Sequence, residues 1–379
     1  MNSLFSERIH HIDTSEIRKV FDLAAKIKNP LNLSIGQPDF PLPQPVEEAM
    51  IQAIRDKKTG YTPTTGLVEL RQAIADRLLR EKQVKVSPEN VIVSTGVASI
   101  LFLLFQTIIN ENDHVLMIDP YFLIYPALIK YHRAHAHTLP ENFTGEDVDR
   151  LTRELSSKNI RLKLIIFASP SNPTGKILSV DQLKALARLA EKQGAVVASD
   201  EIYDAFDYEA KHVSMATILP DQTLTLNGFS KSHAMTGLRV GYLAAPTALS
   251  EVVQKMATLQ QYSMVCAPQP AQWAAIVGLS TPITTELALM KKRRDLVYGL
   301  LKECASLPYP DGAFYMYPSI PVDSAQFVEM AIQERLLVVP GYIFSANRKS
   351  IRISYAQKEA VLEEGCAVFK KLVERSANA

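Results

Sequence analysis

Short apolar runs alternating with helical stripes dominate the middle of the chain. Val91-Ile-Val-Ser, Val115-Leu-Met-Ile, Leu164-Ile-Ile-Phe-Ala, Ala195-Val-Val-Ala, Thr223-Leu-Thr-Leu and Gly241-Tyr-Leu-Ala each have the length of a strand buried on both faces. Between some of them lie positions such as Val180, Leu183, Leu186, Ala187 and Ala190, spaced for one face of a helix. This alternation predicts an α/β fold with a mostly parallel sheet covered by helices. The run from Ile100 to Ile109, interrupted by Gln106 and Thr107, has the length of a buried core helix and falls short of the ~18 residues of a membrane span.

The two ends of the chain read differently. Ile12, Ile17, Phe21 and Ala24 or Ala25 fit one amphipathic stripe on an N-terminal arm that ends at Asn29-Pro30. Leu31 to Pro41 is a short strand that Gly36 and the prolines turn into a rigid extended loop. A helix opens at Pro45, a loop runs from Thr59 to Gly66, and a second helix starts at Leu67. Leu287 to Leu301 is a charged helical bridge. Beyond Pro310 the pattern is α+β, with Ala313-Phe-Tyr-Met-Tyr, a helix near Phe327 to Leu336, Leu337-Val-Val, an alternating strand at Ile351-Arg-Ile-Ser-Tyr355 and a last helix through Val368, Phe369 and Leu372. The expected division is a large domain over residues 46–285 and a smaller α+β domain over 286–379, joined by the arm over 1–45.

Composition narrows the partners. The 379 residues suffice for two or three domains at roughly 150 residues each. With 41 basic and 40 acidic residues the net charge is +1, which steers the chain toward neither nucleic acid nor an anionic membrane. Cys266, Cys304 and Cys366 are odd in number and far apart, as in a reducing compartment, and the opening Met1-Asn-Ser-Leu-Phe-Ser lacks the regions of a signal peptide. Cytoplasm is the expected location. His132, His135 and His137 have no further fixed ligands near them in sequence, so a solvated strand is expected there and no metal.

The candidate chemistry collects where the strands end. Ser94-Thr-Gly96-Val-Ala98 opens the apolar helix, Asp119-Pro-Tyr-Phe122 follows the next strand, and Ser169-Pro-Ser-Asn172-Pro-Thr-Gly175 a third. Asp200-Glu-Ile-Tyr203 and Gly228-Phe-Ser230-Lys231 follow two more. In an open α/β sheet this rim is where ligands bind. Lys231 alone reads first as a surface lysine. Asp200, after an apolar run, must meet a cation or several donors, or it could hold a protonated pyridine nitrogen. Gly96 is either a tight turn or the opening of a backbone anion site, and Arg239, between Gly237 and Gly241, could close on the same phosphate. Period two alone puts Arg352 on a solvent face; the alternative is a cleft where it grips a carboxylate in bidentate fashion. Pro173-Thr-Gly-Lys176 lacks the upstream glycine of a nucleotide loop, and Gly228 to Ser232 lacks the second glycine of a hydrolase elbow.

Taken together, Leu33-Ser-Ile-Gly-Gln-Pro-Asp-Phe40, Gly60-Tyr-Thr-Pro, Ser169 to Gly175, Asp200 to Tyr203, Phe229-Ser-Lys-Ser, Val339-Pro-Gly and Arg352-Ile-Ser-Tyr-Ala356 resemble, in order and spacing, the class I and II aminotransferases, pyridoxal-phosphate enzymes of fold type I. The resemblance implies a ping-pong transfer of an amino group from an L-amino acid to a 2-oxo acid. It implies that Lys231 holds pyridoxal 5′-phosphate as a Schiff base and then moves the substrate proton. Asp200 would pair with the pyridine nitrogen, Tyr203 and Asn172 contact the ring oxygen, and Phe122 stack on the ring. Arg239, Ser230 and the backbone of Gly96, Val97 and Ala98 would hold the phosphate; Gly36, Asn172, Phe122 and Arg352 would meet the substrate. Tyr61 matches a tyrosine that reaches the phosphate of a neighbouring subunit, which implies a homodimer with shared sites.

Two positions depart from the family pattern. Gly228 stands where many members have a serine, which leaves the phosphate contact to Ser230. Ala98 stands where some aspartate-using bacterial members have a lysine for the distal carboxylate. A β-lyase, a cyclising synthase or an oxidase would keep the same cofactor residues. A non-catalytic cofactor-binding regulator is the reading from another class, and neither a DNA-binding segment nor a basic patch accompanies it.

Overall fold

The computed structural model describes residues 4–12 and 27–377; the stripe expected through Ile17, Phe21 and Ala24 lies outside the described residues. After β1 (Leu31–Asn32) come α1 (Gln44–Arg55) and α2 (Val68–Lys82). One sheet is then built from β2 (Val91–Ser94), β3 (His114–Asp119), β4 (His135–Pro140), β5 (Leu162–Ala168), β6 (Val196–Asp200), β7 (Thr223–Gly228) and β8 (Gly241–Ala244). Its spatial order is β2-β8-β7-β6-β5-β3-β4. All neighbours are parallel except at β8, which runs antiparallel to both β2 and β7. The mostly parallel α/β fold expected from the apolar runs is the one observed.

Helices α3 (Val97–Ile108), α4 (Ile124–Tyr131), α5 (Gly145–Ser157), α6 (Val180–Gln193) and α7 (Ser250–Gln261) cover the two faces. Successive strand residues point to opposite sides, so Val115, Met117, Leu164 and Ile166 pack with α3, α4 and α7, while Leu116, Ile118, Ile165 and Phe167 pack with α5 and α6. Capping residues set the bounds of two of the covering helices, α5 and α6. The Thr144 and Ser179 side chains accept from the backbone N–H groups of Asp147 and Gln182, and Gly194 ends α6 with φ 65°.

The strand β4 was not among the apolar runs, because it is an edge strand whose residues are mostly exposed. Parallel pairing sets His114 beside His135, with His114 Nδ1 and His137 Nε2 2.9 Å apart. At the β2 end of the sheet, α1, α2 and α8 (Gln269–Gly278) pack together, and Val46, Leu70 and Ile74 meet Ala271, Ala275 and Val93.

The last third adds α9 (Thr284–Leu301), β9 (Tyr315–Met316), α10 (Ser324–Gln333), β10 (Leu336–Leu337), β11 (Val339–Pro340), β12 (Ile351–Ser354) and α11 (Glu359–Ala377). β12 lies between β11 and β9 in an antiparallel sheet, and β1 pairs in parallel with β10. Leu31, Leu33, Met290, Phe314, Phe327 and Phe369 share one core. The helix expected to reach Leu336 stops at Gln333: Arg335 takes φ 60°, and Leu336 joins a strand instead.

β8 passes so close to the start of α3 that a Cβ on Gly241 would fall 2.6 Å from Val97 N and 2.7 Å from Gly96 C. Both are backbone atoms and cannot swing aside. Gly241→Ala should therefore cost about 1–3 kcal/mol of stability, read as a lower midpoint in thermal or denaturant unfolding. An unchanged midpoint would contradict this packing.

Candidate active site

Parallel strands deliver their carboxyl ends to one edge of the sheet, and there the structure forms a cavity of about 560 Å³. β6 brings Asp200 and, just beyond it, Tyr203; the loop after β5 brings Asn172; the loop after β7 brings Ser230 and Lys231. Val97 and Ala98 reach the cavity from the first turn of α3, and Phe122 from the segment before α4. Gly36, Arg239 and Arg352 complete the set from outside those strand ends.

Gly96 lies just behind the wall. It opens α3 with φ 85°, and a Cβ there would collide with the Arg239 guanidinium. Arg239 itself holds φ 56°, a left-handed conformation that a non-glycine residue adopts at a cost, and its Nη1 donates to Thr236 O at 2.9 Å. A guanidinium and the free N–H groups of a helix start thus face one corner. That corner suits an anion. Tyr61 is elsewhere: it is 87% exposed and does not line the cavity of this chain.

Arg352 corrects the period-two expectation of a solvent face, for it is only 2% exposed. All four residues of β12 are buried, so both faces of this central strand are covered. Nη1 donates to Asn172 Oδ1 at 3.0 Å and Nη2 to Ser34 O at 2.7 Å. The Tyr315 and Phe344 rings stand 4.6 and 5.1 Å from its guanidinium carbon. Its Nε is buried and has no hydrogen-bond partner among the described residues. A buried cation with an unsatisfied donor is fitted to receive a carboxylate.

Lys231 keeps part of its surface open to the cavity while protein encloses its amine. Its Nζ donates to Gly36 O and stands 5.8 Å from the centre of the Tyr203 ring. Burial, then the charges of Arg352 and Arg239, pull its pKa down to about 8, with Asp200 opposing. Burial pushes Asp200 up to about 6. The Tyr125 hydroxyl at 2.9 Å and the Ile202 N–H at 3.2 Å oppose that rise, Glu201 adds to it, and Lys231 opposes it.

Sequence reading missed Tyr125 and Tyr315. The first sits three residues after Phe122 in the opening turn of α4, a spacing that could have drawn attention to it. Tyr315 lies in an apolar run with nothing to single it out, yet its hydroxyl is 2.7 Å from that of Tyr203. Gln37, Leu123, Ile124, Ile202 and Thr236 also line the cavity.

A family model described as aminotransferase class I and II matches residues 28–369. The chain belongs to that family. It is 36% identical to a probable aspartate aminotransferase of Methanocaldococcus jannaschii, over 98% of this chain and 100% of that one. It is 34% identical to aromatic-amino-acid aminotransferase 2 of Thermococcus litoralis, over 97% and 98%. The structure of an aspartate aminotransferase from Thermus thermophilus with maleate superimposes with a TM-score of 0.90, covering 98% of this chain and 100% of that one at 32% identity. The protein is a transaminase of fold type I, and its cofactor is pyridoxal 5′-phosphate. The cavity suits that group: the Gly96 corner answers a phosphate, the Lys231 amine an aldehyde, and the buried Asp200 carboxylate a ring nitrogen.

A lysine with its pKa near 8 is about 10% neutral at pH 7 and about 90% neutral at pH 9. The rate at which pyridoxal phosphate attaches to the cofactor-free aminotransferase should rise about tenfold per pH unit below that value and level off above it. Stopped-flow absorbance from pH 6 to pH 10 measures this. A rise that continues to pH 10 would mean an amine with an ordinary lysine pKa.

Proposed function

We propose that this aminotransferase works through Lys231, with Asp200, Asn172 and Tyr203 around the cofactor ring and Arg352 on the substrate α-carboxylate. The observation that carries the reading is the enclosure of one amine, one carboxylate and two guanidinium groups in a single cavity. Arg239, Ser230 and the backbone from Gly96 to Ala98 take the phosphate, Phe122 covers the ring, and Gly36 and Asn172 flank the substrate carboxylate. When bound, pyridoxal phosphate supplies an aldehyde carbon that accepts the amino group and a protonated ring that takes up the electron pair of the broken Cα–H bond.

The residues divide the remaining work. Arg352 fixes the amino acid by its carboxylate and so orients the Cα–H bond toward Lys231. The Lys231 amine, once free of the cofactor, removes that proton from Cα and returns it to the cofactor carbon. Asp200 would keep the ring nitrogen protonated, and the cavity walls would limit water around the Lys231 amine while it moves the proton. Water then supplies the oxygen of the departing 2-oxo acid, and a second 2-oxo acid, giving up its oxygen as water, takes the amino group by the reverse steps.

The same reading extends to assembly and place. The exposed Tyr61 is assigned to the phosphate of a neighbouring subunit, which makes the enzyme a homodimer with shared sites. Three scattered cysteines support a cytoplasmic location, and among the described residues no helix is long and apolar enough to cross a membrane. The division at residues 45 and 285 into an arm, a large cofactor domain and a small domain belongs to this reading. Relatives named for aspartate and for aromatic amino acids leave an L-amino acid with a free α-carboxylate as the common substrate feature.

Borohydride reduction of the holoenzyme followed by peptide mapping should find the cofactor on the peptide containing Lys231, and Lys231→Ala should abolish turnover. Label on another lysine would refute the assignment. Arg352→Lys keeps the charge but loses the planar fork, so kcat/KM for the amino acid should fall about 100-fold, mostly through KM. Steady-state kinetics with varied amino donor reads this, and an unchanged KM would remove Arg352 from the carboxylate site.

A further inference from the structure

Behind the segment that presents Asp200 and Tyr203 lies a buried ionic cluster that the proposed chemistry does not use. Asp200 and Tyr203 face the cavity, whereas Glu201 and Asp204, their chain neighbours, do not line it. Lys82, the last residue of α2, reaches both: its Nζ is 2.5 Å from Glu201 Oε2 and 2.6 Å from Asp204 Oδ2. Glu201 is fully buried and its Oε1 also accepts from Ser199 Oγ at 3.0 Å and Ser214 Oγ at 2.7 Å. Asp204 Oδ2 accepts from Asn227 Nδ2 at 2.9 Å and lies 3.7 Å from Arg77. Asn227 stands at the end of β7, four residues before Lys231.

We propose that Lys82 is a positioning residue for the cofactor site: by pairing with Glu201 and Asp204 together it fixes, from behind, the backbone that presents Asp200 and Tyr203. This rests on the reading that Asp200 faces the ring nitrogen. Two carboxylates buried side by side repel each other and resist ionisation unless a cation sits between them. Burial alone would raise Asp204, but Lys82 and Arg77 outweigh it and hold the carboxyl well below the usual range. Glu201 is likewise held low against its burial by Lys82 and His212.

The coupling to Asp200 is electrostatic as well as mechanical. The groups that face Asp200 are the Tyr125 hydroxyl from α4, the Ile202 N–H, Lys231, Tyr203 and the Glu201 charge. Glu201 raises the proton affinity of Asp200, and Lys82 offsets Glu201. Removing the Lys82 cation therefore favours the protonated form of every group that feels it, whereas removing the Glu201 anion favours the deprotonated form.

The test uses the holoenzyme, with the pH midpoint of the bound cofactor read by absorbance and its affinity by equilibrium dialysis against pyridoxal phosphate. Lys82→Met should raise the midpoint by about half a pH unit or more and weaken cofactor binding about tenfold. Glu201→Gln should lower the midpoint, and the double variant Lys82→Met/Glu201→Gln should return it toward the wild-type value. A Lys82→Met enzyme that melts earlier but keeps the wild-type midpoint and affinity would overturn the proposal and leave Lys82 a role in stability alone. Should Lys82→Met fail to fold, Glu201→Gln decides, since an unshifted midpoint there overturns the coupling. Asp200→Asn separates the two readings. If it changes neither midpoint nor affinity, the assignment of Asp200 fails and this inference with it; if it changes them while Lys82→Met does not, only this inference fails.

Discussion

Burying charge without unfolding the protein is the constraint on which this structure turns. Asp200 and Arg352 are almost fully removed from solvent, and the Lys231 amine in the same cavity is enclosed by protein. Each would be costly alone. The fold meets that cost with fixed donors, acceptors and rings rather than with one tight ion pair. Asp200 takes a hydroxyl and a backbone N–H, Lys231 gives to the Gly36 carbonyl, and Arg352 spends two of its nitrogens on Asn172 and Ser34 and its faces on Tyr315 and Phe344. Because none of the three neutralises another directly, all three keep capacity for a ligand.

That arrangement requires two bodies of structure to agree. Asp200, Asn172 and Lys231 sit beyond strands whose neighbours are apolar on both faces, which holds the strand ends to a common edge. Arg352 comes from a separate antiparallel sheet, and its Nη2 bond to Ser34 O spans 318 residues of sequence. Asn172 touches both bodies, as it ends one strand loop and accepts from Arg352. A shift of either body would leave a buried cation short of its acceptors. The polar contacts thus make the relative position of the two bodies part of the site.

The sheet was legible because it is written in runs of consecutive apolar residues, and the rim was legible because polar residues interrupt those runs at their ends. Two kinds of feature carried a weaker or ambiguous apolar signal. The edge strand at His135–Pro140, expected as a solvated strand around its histidines, is mostly exposed and carries little apolar signal. Arg352 alternates with isoleucines, and alternation means a solvent face only when one side of the sheet is bare; here all four residues of β12 are buried and the side that carries Arg352 lines a cavity, the cleft that the other reading of this strand required. Tyr315 was hidden in the same way, a hydroxyl inside an apolar run that finds Tyr203 only in three dimensions. What could not be read locally was what depends on the second body.

The two ends of the cavity bind charge by different means. At the Gly96 end the donors are backbone N–H groups at a helix start, supplemented by Arg239 in a left-handed conformation that local preferences disfavour. Gly96 leaves room for the guanidinium, and Gly241 lets β8 pass close to the start of α3. Such a site is rigid and selects for shape. At the Arg352 end the donors belong to one side chain whose Nε is still unpaired, and the walls are aromatic and aliphatic groups such as Phe122, Leu123 and Tyr315. In the proposed reading the fixed demand there is a carboxylate, and the rest of the ligand would meet surfaces that impose no single polar pattern. On the proposed assignment, backbone donors with Arg239 at one end and a single guanidinium at the other would let one scaffold hold its cofactor constant while the molecules that exchange an amino group change from one half of the reaction to the next.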